Sequence, residues 1–105
     1  MTHSIHQPVV DIINQAIELM DEFMRLNIDE DVYARKLREI DVDTLLKKHK
    51  EDFQRDPKLV YYLDALMLLS SLQHELDFQI AEYGANVASE DIKCLREILD
   101  KLPTN

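Results

Sequence analysis

Apolar positions recur at spacings of three and four along most of this chain, the period of helices that bury one face. The first stretch is "QPVVDIINQAIELMDEFMRL". There Val9, Ile12, Ile13, Ala16, Ile17, Leu19, Met20, Phe23 and Met24 form a broad stripe, with Asp11, Glu18, Asp21 and Glu22 opposite. Pro8 suits a first helical position, where its missing N–H costs nothing, so a helix is expected over 8–26. In "NIDEDVYARKLREI" Asp29 is placed to cap the next helix, 30–40, with Ile28 stapled onto Tyr33 and Leu37 and Ile40 facing inward. The same order of staple, cap and staple recurs at Ile40, Asp41 and Leu45 and predicts a third helix over 42–54. "RDPKL" is the strongest start signal, with Asp56 as N-cap and Pro57 in the first helical position. The pattern then runs to Gly84, whose freedom to take a left-handed conformation closes a helix over 57–83. A last helix over 90–102 is expected to be capped by Ser89 and ended by Pro103. Its inward seam is Ile92, Leu95, Ile98, Leu99 and Leu102.

These elements predict an all-α fold: a single-domain antiparallel bundle of about five helices, three long and two short, around the central helix 57–83. The central stretch "KLVYYLDALMLLSSLQHE" falls far short of the about 20 apolar residues a membrane span needs, and it contains Asp64. At about 100° per residue, Asp64, Ser71, Glu75 and Glu82 fall on one polar stripe. Tyr62, Ala65, Leu66, Leu69, Leu72, Leu76, Ile80 and Tyr83 fall on the opposite seam. Before Ser70 the flanks between them are apolar too: Val60, Tyr61, Leu63, Met67 and Leu68. Either the two short helices cover that half, or Tyr61, Met67 and Leu68 around Asp64 form an exposed patch for a partner or a second copy.

Composition supports this picture. One glycine and three prolines in 105 residues leave few breaks, and 46% hydrophobic with 31% charged residues is a globular balance. The formal net charge of −9 argues against a nucleic-acid backbone as ligand and in favour of a basic protein partner. That charge is uneven: residues 1–31, 32–58 and 59–105 carry −6, +2 and −5. The densest acidic feature is Asp21 and Glu22 followed by Asp29, Glu30 and Asp31, at the first corner. Glu75, Asp77 and Glu82 form a second. Either is a solvated face or a landing site for a cationic protein. Lys47, Lys48 and Lys50 read as a solvated basic face. The lone Cys94 fits a reducing compartment, and the N-terminus has no secretion-signal pattern, so the expected location is the cytoplasm.

No catalytic pattern emerges. His3, His6, His49 and His74 lack Glu-x-x-His or His-Glu-x-x-His spacing, so no metal is expected. His49 lies on the apolar side of its helix, and His3 and His6 lie in an N-terminal stretch expected to be loose. His74 has no neighbouring lysine to support phosphotransfer, Cys94 has only weak activators in Lys93 and Arg96, and one glycine cannot build a phosphate loop. The expectation is a protein without catalytic activity or cofactor.

The string "KLVYY", residues 58–62, is similar to the helix-borne stretch ending in a Tyr-Tyr pair with which colicin-nuclease immunity proteins grip their toxins. Small size, acidity and helicity also resemble that bacterial class. The resemblance implies that Tyr61 and Tyr62 anchor an interface and that the chain occludes the basic active site of a toxin. The helical wheel itself places Tyr62 on the core seam and leaves Tyr61 for the partner. The other expectation is a self-associating structural or adaptor module, or a secretion chaperone, in which the flank around Tyr61, Met67 and Leu68 is buried between copies.

Overall fold

The computed structural model describes residues 5–102 and is all-helical, with no strand among them. Six α-helices follow one another: α1 (His6–Met24), α2 (Glu30–Glu39), α3 (Asp43–Lys48), α4 (Lys50–Arg55), α5 (Val60–Tyr83) and α6 (Ala88–Lys101). Short 3₁₀ turns at Pro57–Leu59 and Gly84–Val87 flank α5.

Four contacts fix the directions of the helices. His6, at the start of α1, hydrogen-bonds through Nδ1 to the Tyr62 hydroxyl near the start of α5, at 2.7 Å. Lys101, at the end of α6, places its ammonium 5.8 Å from the centre of the Tyr61 ring. Gln73, midway along α5, donates through Nε2 to the carbonyls of Leu37 and Ile40 at the end of α2, at 2.9 and 2.7 Å. Glu30 and Asp31, at the start of α2, meet Asp77, Ile80 and Ala81 near the end of α5. So α1 and α5 run in one sense and α2 and α6 in the other. Because α2 reaches only the middle of α5, α3 and α4 continue its path, laying Leu46 and Phe53 beside Leu63. The result is an up-down-up-down bundle whose second member is segmented. Its longest dimension, 40 Å, is close to the rise of α5 at about 1.5 Å per residue.

The core lies between α1, α5 and α6, with α2 closing one side. Val9, Ile13, Ala16 and Met20 of α1 pack in it with Ala65, Leu66 and Leu69 of α5 and Leu95 of α6. Phe23 and Tyr33 stack across the first corner, ring centres 4.2 Å apart and planes 10° from parallel. Burial, reinforced by the Asp91 carboxylate, pushes the Tyr33 hydroxyl well above its usual titration range, so it stays neutral in this site. Burial also raises that of Tyr62.

The caps follow the expected chemistry in three places. Asp29 accepts from the Val32 N–H at 2.8 Å, Asp41 from the Thr44 N–H at 3.1 Å and hydroxyl at 2.6 Å, and Asp56 from the Lys58 N–H at 2.9 Å. Those two bonds from Thr44 hold the Asp41 carboxyl below its ordinary value. Gly84 closes α5 at φ 60° and ψ −142°, a positive-φ conformation open to glycine but outside the left-handed helical region expected for it.

Elsewhere the boundaries move. The first helix begins at His6 and stops at Met24, placing Pro8 inside the first turn, where its missing N–H still costs nothing. The expected helix 42–54 bends at His49, whose backbone leaves the helical region at φ −106° and ψ 14°. Hydrogen bonds from the His49 N–H to Leu45 and from Phe53 N–H to His49 persist at 3.1 and 3.0 Å, so the bend is a kink. Residues 57–59 form a 3₁₀ turn before α5, and the last helix opens at Ala88, which puts Ser89 inside it rather than at its cap. His6 is not in a loose segment, because α1 and Tyr62 hold it. Pro103 and His3 lie outside the described residues.

Candidate protein-interaction site

Helix α1 ends in a Schellman motif: the Leu26 N–H bonds to the Phe23 carbonyl and the Asn27 N–H to the Glu22 carbonyl, both at 3.0 Å. The motif needs a left-handed residue at its closing position, where glycine is usual. Here the residue is Leu26, at φ 62°, the one non-glycine residue with positive φ among those described. Its side chain is 76% exposed, the most exposed of the large hydrophobic residues described. A sterically costly backbone thus presents an apolar side chain to water.

Around Leu26 the chain turns into α2 and places Asp29, Glu30 and Asp31 in succession. With Phe23 and Ile28 these residues line an open cleft of about 460 Å³. Glu30 and Asp31 also line an adjoining cleft of about 220 Å³ with Ala34, Asp77, Ile80 and Ala81. Asp77 of the second acidic group therefore lies beside Glu30 and Asp31 of the first, because α2 runs back along the C-terminal half of α5. Within the corner the acids have different duties. Asp29 caps α2, Asp21 pairs with Arg25 at 3.1 Å, and Asp77 pairs with Arg38 at 2.9 Å. Asp21 and Glu22 are half-buried, whereas Asp29, Glu30, Asp31 and Asp77 are exposed. Glu75 and Glu82 are exposed as well; Glu75 belongs to a different neighbourhood, where burial first, and then Glu75 and Glu90, raise the proton affinity of the half-buried Asp91.

The aromatic and apolar candidates separate likewise. Tyr62 is 2% exposed and belongs to the core, as the wheel indicated. Tyr61 is 39% exposed, with Lys101 over its ring. Leu63 and Leu68 are half-buried, and Leu68 packs against the core rather than standing in an exposed patch. Val60, Met67 and the carboxylate-bearing Asp64 remain exposed. The segmented α3 and α4 thus cover one flank of the N-terminal half of α5 and leave its outer face open. Two further expectations fail by position: Tyr83 is 56% exposed at the end of the seam, and Met24 is 39% exposed at the end of α1.

Leu26 was missed by periodicity because it lies beyond the last turn of α1, where the 3.6-residue rhythm stops. The available signal was that no glycine stands where this helix ends and the chain reverses, and that Asn27 comes one position after the residue that closes it. His49 is 4% exposed, with Nδ1 3.2 Å from Asp52 and a buried Nε2 that has no hydrogen-bond partner. Among the described residues no helix is long and apolar enough to cross a membrane, and no cluster of three or more His, Cys, Asp or Glu side chains is arranged to hold a metal ion.

Comparison with protein-family models, curated proteins and solved structures returns no match.

Proposed function

We propose that this chain is a non-catalytic binding protein whose acidic α1–α2 corner covers the cationic surface of another protein, as an immunity or antitoxin-type inhibitor covers the active site of a toxin nuclease. The carrying observation is Leu26, an exposed apolar side chain held in a costly conformation with three exposed carboxylates beside it. An apolar centre with a charged rim is the common form of a specific, non-obligate interface. The carboxylates steer a basic partner toward the corner and select its orientation, and Leu26 supplies desolvated contact once it has docked. Inhibition follows from occlusion and needs no bond-making. Cytoplasmic residence is part of the same proposal.

The test must separate binding from folding, because Asp29 is both a surface carboxylate and the cap of α2. Asparagine caps as well as aspartate does. The variant D29N/E30Q/D31N therefore removes three charges while keeping the cap. Affinity capture from the native host, followed by titration with the protein recovered, is expected to yield a cationic partner whose binding weakens with salt and by at least about tenfold in this variant. A partner bound equally well by this variant and by E75Q/D77N/E82Q would overturn the acidic-surface mechanism.

A further inference from the structure

Where α3 and α4 lie against the start of α5 they leave a cleft of about 350 Å³, lined by Leu46, Lys47, Lys50, Phe53, Gln54 and Leu63. A second cleft of about 390 Å³ shares Phe53 and Leu63 with it and continues past Asp56 to Pro57, Leu59 and Val60. Leu46, Lys47, Lys50, Phe53 and Gln54 fall at helical spacings on one face. The hydrogen bonds that persist through the His49 kink carry that face from α3 into α4.

The floor of the cleft is hydrocarbon. Leu46, Phe53 and Leu63 are only half-buried, so each keeps apolar surface open to it. Lys47 and Lys50 are exposed and stand on the same face. Neither takes part in an ion pair among the described residues, and the carboxylates near them in sequence are engaged elsewhere. Asp41 accepts from the Thr44 hydroxyl at 2.6 Å, Glu51 lies 3.5 Å from Arg55, and Asp52 lies 3.2 Å from His49. Lys47 is the weakest of the influences on the Asp41 carboxyl. Asp64 projects about 100° away from Leu63 around α5.

Two free ammonium groups beside a hydrocarbon floor suit a ligand with an anionic head and an apolar tail. The rest of the molecule decides how large that ligand is. With a net charge of −9, and with residues 32–58 alone positive at +2, an acidic protein, an anionic membrane or a second copy meets repulsion over most of its approach. A small monoanion within a Debye length of the two lysines, about 8 Å at physiological ionic strength, responds chiefly to them.

We infer that this cleft binds a medium-chain alkyl carboxylate, with its chain along Phe53 and Leu63 and its carboxylate at Lys47 and Lys50. The site shares no residue with the α1–α2 corner and stands independently of the function proposed above.

Titration of the intact, isotope-labelled chain with decanoate, kept below its micelle concentration, is expected to give saturable binding with a dissociation constant of about 0.5 mM or tighter. Amide shifts should concentrate in residues 45–63. Acetate, which lacks the chain, should not bind, and decanol, which lacks the charge, should bind at least about fivefold more weakly. K47Q/K50Q should weaken decanoate by a similar factor while leaving decanol binding, circular dichroism and Tm unchanged; D29N/E30Q/D31N should leave decanoate binding intact. Absence of saturable binding, or shifts centred elsewhere, overturns the site. Decanol bound as tightly as decanoate, or a K47Q/K50Q variant without effect, overturns the anionic ligand. Cosedimentation with phosphatidylglycerol vesicles, or self-association in sedimentation velocity, that is lost in K47Q/K50Q and indifferent to decanoate overturns the proposal in favour of a membrane or a second copy.

Discussion

A leucine in the left-handed region costs about 1–2 kcal/mol relative to the right-handed one, and glycine removes that cost while adding unfolded-state entropy. Leu26 is where this chain sustains that cost, and its exposed side chain gives nothing back in core packing. L26G is therefore expected to raise stability by about 1 kcal/mol, a gain of roughly 4–8 °C in Tm for a chain of this size. If the corner binds a partner as proposed, the same variant binds it more weakly, since the apolar centre is gone. Urea denaturation and the partner titration together read both effects. A stabilised variant with full affinity would leave Leu26 without the role given to it. His49 is the other residue whose local chemistry and surroundings disagree: a histidine on an apolar face was legible in "LLKKHKEDF", but its buried and unpartnered Nε2 depends on the kink it sits in.

At the scale of the elements, caps and long seams were legible because they are local. Asp29, Asp41 and Asp56 act on N–H groups two or three residues away, and the α5 seam repeats through several turns. What spacing could not reveal was the use of Gln73. It reads as an ordinary flank position, yet its amide reaches across to the two carbonyls that end α2. Those carbonyls also accept from the Ile40 and Val42 N–H groups at 3.3 and 3.1 Å, so Gln73 gives each a second donor and ties that end of α2 to α5. Replacing Gln73 by Met keeps the length of the side chain and removes the donor. The expected cost is about 1–2 kcal/mol in urea unfolding, with faster amide exchange concentrated in α2 and the turn after it. Unchanged exchange there would mean that water replaces the amide without loss. The kink at His49 was equally illegible, since α3 and α4 have too few apolar positions for a change of direction to show.

For the whole molecule, the question is how a chain with net charge −9 tolerates its own repulsion. Folding sharpens the problem at one point: α6 runs antiparallel to α5 and brings half-buried Asp91 near Glu75, with Glu90 beside it. Desolvation first, then these two carboxylates, hold the Asp91 carboxyl above its ordinary value. A carboxyl whose pKa is raised in the folded state keeps a proton that the unfolded chain has released. Its contribution favours folding fully below the unfolded pKa, near 3.8, and is lost as pH rises through the folded value. The sign is opposite for Asp41, whose lowered value gives a contribution present above the unfolded pKa and lost in acid. Asp91 should therefore oppose folding at pH 7. D91N removes the charge at nearly constant shape and is expected to raise Tm at pH 7, the difference shrinking steadily toward pH 4 and below. Added salt should narrow the gap at pH 7 in the same way, by screening Glu75 and Glu90, though not the desolvation part. Thermal melts of both proteins across pH 3–8, at low and moderate salt, provide the check. A difference independent of pH would assign the effect of D91N to packing, and a variant less stable at neutral pH would mean that the Asp91 carboxylate has a favourable partner that outweighs burial and its two acidic neighbours.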